Sequence, residues 1–469
     1  MWTQAVPTDR AERTLRDFRS ESFWLSTLDE DLALRPALEG LEEADVVIVG
    51  AGYTGLWTAY YLLEHEPGLR VALCEAGIAG IGASGRNGGW CMGMAEGVEP
   101  LLADPETREG GMALSRALFD CVDEVERVCE REGIDCHFKK GGTLQVARVE
   151  KQKEEQIAHV AQMTDWGFSP DDYQWLSESE LNERLRVSGG LGALYSPHVA
   201  AIHPARLVRG LARVVESRGG RIFENSAVRQ IRPGEVETDQ GRIQADWVVL
   251  ATEAYTAQIP GYKRRMAPIH SMMVATEPLS ADLWEEIGLG ERETFAGPEL
   301  IATYGQRTAD GRIAYGSRGL YYYGSGVRER FSPTDPIFEQ VRESLISLLP
   351  LLRDVEITHR WGGPLGLPRD RTPALSADRE TRIAMAGGYL GEGVGASNLM
   401  GRTLADLLSG QETDRVRLPW VGKGFSQWEP EPLRWMGITA ARTAMDRLDK
   451  QEAAGGVPSR WMESVLDRL

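Results

Sequence analysis

Between residues 44 and 75 the hydrophobic period of the chain changes twice. Val46 to Val49 is an unbroken apolar run bounded by a glycine cluster, which predicts a strand buried on both faces. From Gly55 to about Glu64 the apolar positions continue over a helical length, and Val71 to Cys74 is apolar again. The order is β-α-β, with a glycine turn joining the first strand to the helix.

Further along, Met112, Leu114, Leu118, Val122, Val125 and Val128 recur at near-helical spacing and predict an amphipathic helix over about 106–132. Helices follow at about 149–166 and 204–217, the second with Pro204 in its first turn and Gly219-Gly220 just past its end. Strands are predicted at 221–223, 228–231 and 247–250. Segments 270–276, 300–304 and 312–316 read as an antiparallel sheet with short turns. After Trp361 the α/β pattern returns, with a strand at 383–386, a glycine turn and a helix at about 395–409. A last amphipathic helix covers about 432–451, and no internal repeat is found.

With 469 residues the chain exceeds what one hydrophobic core usually supports, and 42% hydrophobic with 26% charged residues is the composition of an ordinary globular protein. The formal net charge of −18 is spread along the sequence with no Lys/Arg-rich block, which argues against nucleic acid as a partner. Cys74, Cys91, Cys121, Cys129 and Cys136 show no metal-ligand spacing, so no metal is expected. The N-terminal residues lack an apolar signal core and no 18-residue apolar run occurs, so no membrane association and a cytoplasmic location are expected.

The strongest chemical signal is VVIVGAGYTG. Gly50, Gly52 and Gly55 supply G-x-G-x-x-G between a buried strand and a helix, with Tyr53 and Thr54 in the helix's first turn. The first glycine allows the tight turn, the second lets backbone approach a pyrophosphate, and the third permits close helix-to-strand packing. Glu75, ending the second strand ahead of Ala76, is placed to accept hydrogen bonds from ribose hydroxyls. This fingerprint predicts dinucleotide binding and leaves FAD and NAD both open. Ser84, Gly85, Arg86, Asn87, Gly88 and Gly89 form a glycine-rich loop that can continue along the cofactor toward its reactive end. Ala251 and Thr252 end another strand in small residues. Gly388, Gly391, Glu392, Gly393 and Val394 form a turn opening a second helix, whose N-terminus favours negative charge.

These segments, with FWLSTL in the leader, SPHVAAIHPARLVRGL at 196–211, VATEPL at 274–279 and WEPEPLRWMGI at 428–438, resemble the D-amino-acid oxidase-like superfamily of FAD enzymes. That group holds glycine, sarcosine and gamma-glutamylputrescine oxidases. The resemblance implies FAD in an extended form, with Gly50, Gly52 and Gly55 at the pyrophosphate, Glu75 at the ribose and Val228 passing the adenine. Residues 84–89 would run beneath the ribityl chain and ring, and 391–394 would meet the pyrimidine edge. The lysine that sarcosine oxidase-like members carry near the flavin has no counterpart in Arg312 to Gly316. Every cysteine lies before residue 137, so their C-terminal-half flavin-linking cysteine is absent, leaving Cys91 as the one cysteine beside the ring-side loop. Glu392 stands where the nearer relatives often have His.

The implied fold is α/β: a Rossmann-type FAD-binding domain, discontinuous in sequence, with a second α+β substrate domain built on an antiparallel sheet. The expected division is a leader at 1–44, the FAD-binding domain at 45–100, 196–256 and 361–412, the substrate domain at 101–195 and 257–360, and a helical appendage at 413–469. The implied function is oxidation of the C–N bond of a small amine or amino acid by hydride transfer to flavin, the imine then hydrolysing to an aldehyde or keto acid. Molecular oxygen or another acceptor would take the electrons. Candidates for the substrate face are His270, Arg318, Tyr322 and Trp361, accompanied by Met272, Tyr321 and Tyr323. An FAD-dependent hydroxylase or a 2-hydroxy-acid dehydrogenase is the alternative, and the oligomeric state stays open.

Overall fold

The computed structural model describes residues 17–297 and 299–453. Residues 1–16 of the expected leader and 454–469 of the expected appendage lie outside the described residues.

The apolar run at 46–49 is the inner end of a longer strand, Gly40–Val49, which pairs in parallel with Gly241–Leu250 from Gly40↔Gly241 to Val49↔Leu250. Its first half is more polar and more exposed, so hydrophobicity alone signals only the buried end. Val71–Cys74 pairs in parallel on its other side and Arg221–Phe223 follows; Ile383–Gly387 extends the sheet beyond Gly241–Leu250. Ala374–Asp378 closes that edge antiparallel. The hairpin Val228–Arg232 and Glu235–Thr238 branches from Gly241–Leu250.

Helix Tyr53–His65 covers this sheet with Trp57, Tyr60 and Leu62 buried. It crosses helix Gly393–Leu408 so closely that a Cβ on Gly401 would stand 2.5 Å from Trp57 Cβ. Pro204–Ser217 joins the same layer. So does the long helix Arg108–Glu132, whose Leu118, Val122, Val125 and Val128 enter this core. Residues 101–195 were expected with the substrate side; the apolar stripe of this helix instead faces the nucleotide side.

A second eight-stranded sheet runs Ile357–Leu367, Ala267–Thr276, Ile313–Tyr322, Thr303–Arg307, Thr294–Ala296, Thr143–Ala147, Gly192–Ser196, Gln174–Ser177. It is antiparallel except where Thr294–Ala296 meets Thr143–Ala147. Ala267–Thr276 is buried at every position because strands pair with both its edges and core covers both its faces: Met272 and Val274 share a cluster with Ile337 and Phe338, and Met273 and Ala275 share one with Phe23 and Trp24. Helix Pro336–Leu348, absent from the sequence-based assignment, covers this sheet. Asp335 caps its N-terminus, Pro336 opens it, and Ile337, Val341 and Leu345 point inward. No helix among the described residues is long and apolar enough to cross a membrane.

Candidate active site

A cleft of about 400 Å³ follows the carboxyl ends of the parallel strands. At one end it is lined by Asn225, Val228 and Arg229, at its middle by Gly50, Gly52, Tyr53, Thr54, Glu75, Ala76 and Ser84, and at the other by Ala251, Thr252, Gly391, Gly393 and Val394. Its glycines have steric reasons. Gly50 has φ +104°, and a Cβ there would stand 2.6 Å from Ala251 O; a Cβ on Gly55 would stand 2.1 Å from Gly50 O. A Cβ on Gly52 would stand 2.9 Å from Ser84 Oγ, which itself accepts from Tyr53 N–H at the helix start. Glu75 accepts from Ala51 N–H at 3.0 Å and Gly77 N–H at 2.9 Å, and burial still pushes its carboxyl up to about 7.

A dinucleotide fits this cleft. Its length runs past two helix N-termini, its wall is glycine where phosphates need backbone, and its buried carboxyl lacks a hydroxyl donor. Among the expected cofactor residues, Gly55, Gly85, Gly89 and Gly388 lie behind the wall. Gly388 donates its N–H to Glu253 Oε2 at 2.8 Å.

Glu253 is a site residue that sequence reasoning missed. It follows Ala251 and Thr252 at the strand end, has φ +44°, and accepts from the N–H groups of Gly388, Tyr389 and Gly366. One carboxyl thus ties the end of Gly241–Leu250 to the glycine turn before helix Gly393–Leu408. Desolvation of this half-buried side chain pushes it up to about 7. Tyr389, also missed, bonds Thr54 Oγ1 through its hydroxyl at 2.8 Å.

The cleft meets a second cavity of about 780 Å³ at Ala83, Asn87, Leu365 and Gly391. Trp90, Met92, Tyr173, Ser271 and Tyr304 line it. Ser271 donates to Ser317 O at 3.0 Å, so the Tyr304 hydroxyl, 2.6 Å from Ser271 Oγ, is the donor of that pair. A Cβ on Gly88 would stand 2.5 Å from the Tyr304 ring, which places the tyrosine directly against the glycine-rich loop. Glu96, Glu99, Glu299, Asp370 and Glu392 also line the chamber. Of the two arginines there, Arg371 is 3.8 Å from Glu96, while Arg86 turns its guanidinium away to Ile81 O, Glu329 O and Glu21. Glu392 accepts from Glu96 N–H at 2.8 Å, and burial raises the Glu299 carboxyl above its ordinary value.

Of the residues expected to be catalytic, His270, Tyr322 and Trp361 do not line this junction. His270 is buried outside both cavities: Arg328 N–H donates to its Nε2 at 3.1 Å, so Nδ1 carries the proton and donates to Tyr321 O. Burial pushes it down to about 4, a neutral clasp between two segments. Tyr322 donates to Glu431 at the start of the C-terminal helix. Trp361 donates Nε1–H to Arg86 O at 2.8 Å, behind the loop. The side chain of Arg318 lies outside the described residues. Met272 is buried, and Tyr321 and Tyr323 lie outside both cavities; none of these joins the lining. Cys91 lies between Trp90 and Met92 on strand Trp90–Met92, so while they line the chamber it points into the core and away from the junction. Among the described residues no group of His, Cys, Asp and Glu could hold a metal ion.

The family model described as FAD dependent oxidoreductase matches residues 45–407. Gamma-glutamylputrescine oxidoreductase of Escherichia coli is 30% identical over 378 residues, covering 78% of this chain and 84% of that protein. The glycine oxidase of Geobacillus kaustophilus is 26% identical over 385 residues, covering 79% and 94%. Its crystal structure superposes with a TM-score of 0.68 over 81% of this chain and 99% of that one, at 22% identity. L-proline dehydrogenase from P. horikoshii gives 0.65 over 81% and 96%, at 20% identity.

Proposed function

The chain belongs to the DAO family of FAD-dependent oxidoreductases, and on that premise we propose that it oxidises the C–N bond of an amine held in the chamber beyond Ala83, Asn87, Leu365 and Gly391. Gly50, Gly52, Thr54 and the start of helix Tyr53–His65 hold the pyrophosphate of FAD, Glu75 the ribose, Val228 the adenine side, and Gly391, Gly393 and Val394 the ring's polar edge. When bound, FAD supplies a two-electron acceptor for the hydride of the carbon that bears the nitrogen. The released imine hydrolyses in water to an aldehyde or keto acid.

The observation that carries the amine reading is the chamber's lining. Five carboxylates against two arginines, one turned away and one facing Glu96, attract an ammonium ion and repel the anion of a 2-hydroxy acid. Trp90 and Tyr304 supply aromatic faces on which a cation or an alkyl chain can rest. A cavity of about 780 Å³ also suits an amine on a chain of several carbons better than glycine itself. Hydroxylation finds no such support in the lining.

The test is anaerobic bleaching of the bound flavin with a panel of diamines, acylated diamines, amino acids and hydroxy acids. Rapid bleaching by an amine, with an aldehyde as product, is the expected result. Bleaching only by NAD(P)H or by a hydroxy acid overturns the reading. Admitting air to the bleached enzyme then reads the acceptor: prompt recovery with peroxide means oxygen, and slow recovery means another acceptor.

A further inference from the structure

The short leader helix Phe23–Ser26 lies directly behind the glycine-rich loop. Three successive loop carbonyls are each held by a side-chain donor from outside the loop. Ser22 Oγ–H donates to Gly85 O at 2.8 Å, Trp361 Nε1–H to Arg86 O at 2.8 Å, and Trp24 Nε1–H to Asn87 O at 2.7 Å. Trp24 is itself 2% exposed, wedged against Phe23, Trp361 and His203. Its indole is therefore fixed, and so is the carbonyl it holds.

Holding a carbonyl also aims the next N–H, because the two point in opposite directions across a trans peptide. The N–H groups of Arg86 and Asn87 are already spent on Ala83 O, at 3.2 and 3.0 Å, and that of Gly89 on Asn87 Oδ1 at 2.8 Å. The N–H of Gly88 has no acceptor among the described residues. With Asn87 O turned to Trp24, this N–H points away from the leader, and Gly88 lines the chamber next to the junction residue Asn87.

We propose that Trp24 is a positioning residue for the flavin: by pinning Asn87 O it presents the Gly88 N–H to the ring edge at the junction of the two cavities. The inference rests on the FAD site proposed above. An N–H fixed there before reduction favours the electron-rich reduced ring over the oxidised one, since the donor needs no reorganisation when charge develops. Ser22 and Trp361 differ in kind, because the N–H groups paired with their carbonyls face Ala83 and reach no ligand.

The experiment compares the two-electron midpoint potential of bound flavin, and the FAD dissociation constant, in the natural protein, Trp24→Phe and Ser22→Ala. Phenylalanine keeps an aromatic ring in the wedge and removes only the indole donor. Expected for Trp24→Phe is FAD still bound, and a potential lower by about 30 mV, the two-electron equivalent of a tenfold lost preference for reduced flavin. Ser22→Ala weakens FAD binding severalfold at most and leaves the potential in place. An unmoved potential in Trp24→Phe, or an equal shift in Ser22→Ala, overturns the inference. Hydrogen exchange of the peptide spanning 86–92 in the unsubstituted protein decides the matter should Trp24→Phe fail to fold. Slower exchange at the Gly88 amide on adding FAD supports the inference, and unchanged exchange refutes it. A natural protein that takes up no FAD refutes the cofactor site itself, whereas FAD uptake with an unmoved potential refutes only the role of Trp24.

Discussion

At the scale of single residues, two buried carboxyls and three glycines define the cleft. Glu75 and Glu253 are each pushed up to about 7 from an ordinary 4.5 by burial, against the backbone donors that favour their ionised forms. The folded chain therefore binds more protons than the unfolded one between those values. Stability is highest while both are protonated and falls as pH rises from about 4.5 through 7. Flavin-free protein should lose on the order of 1–3 kcal/mol per carboxyl across that window. Glu253→Gln should flatten the slope, and urea titrations at pH 5 and 8 measure both; a slope left intact by the substitution would rule out Glu253 as its source. Gly55→Ala tests the steric claim, since a Cβ 2.1 Å from Gly50 O meets rigid backbone. Overpacking of this kind costs about 1–3 kcal/mol, read as a fall in Tm. The glycines were legible because their spacing is itself the signal, whereas Glu253 was hidden because its three backbone partners come from sequence positions more than a hundred residues away.

At the scale of elements, the C-terminal helix Leu433–Ala453 reaches from one side of the antiparallel sheet to the other. Arg434 bonds Ser325 Oγ and lies over Tyr322 at its start. Near its end Asp449 accepts from Leu300 N–H and Ile301 N–H, both at 2.8 Å, and Glu452 meets Lys151 and Gln152. Leu300 and Glu299 line the chamber, so this helix holds part of its rim. Asp449→Ala removes two hydrogen bonds to a carboxylate, together worth about 1–3 kcal/mol. The expected result is a KM for the amine raised severalfold with flavin content unchanged. A proportional loss of flavin instead would mean that the helix supports the whole fold and not the rim. Sequence periodicity located this helix, the helix at Pro204–Ser217 and half of the strands among the described residues, because period and capping are local, but it gave no sign of Thr143–Ala147, Gly192–Ser196 or Ile357–Leu367 in the antiparallel sheet. It missed Pro336–Leu348 despite a capping Asp335 and apolar positions at 337, 341 and 345.

At the scale of the whole molecule, the net charge of −18 is spread over the chain, and the chamber shares its sign, with five carboxyl side chains against two arginines in its lining. A cationic substrate should be drawn in by a field that salt screens. Raising ionic strength from about 10 mM to about 1 M shortens the Debye length from about 30 to about 3 Å. Over that range kcat/KM for a diamine should fall severalfold while that for an uncharged-tail amine changes little. Equal salt responses would show that the carboxylates do not select charge.

What the sequence determined by itself is the nucleotide half. A buried strand, a glycine turn of set spacing, a helix and an acid at the next strand end are all read within about thirty residues, and each follows from local geometry. The superfamily followed from those motifs together with the later glycine turn. The chamber was decided only by tertiary structure. Trp90, Glu96, Tyr173, Tyr304, Asp370 and Glu392 come from separate strands and loops, and no local period marks a residue that becomes a neighbour only when two sheets close over one junction. The same holds for His270, Tyr322 and Trp361. Chemically suggestive in sequence, they are turned by strand register and packing toward the Arg328 and Tyr321 backbone, the start of the C-terminal helix and the back of the glycine-rich loop, because each buried polar atom must find a hydrogen-bond partner where the fold leaves one.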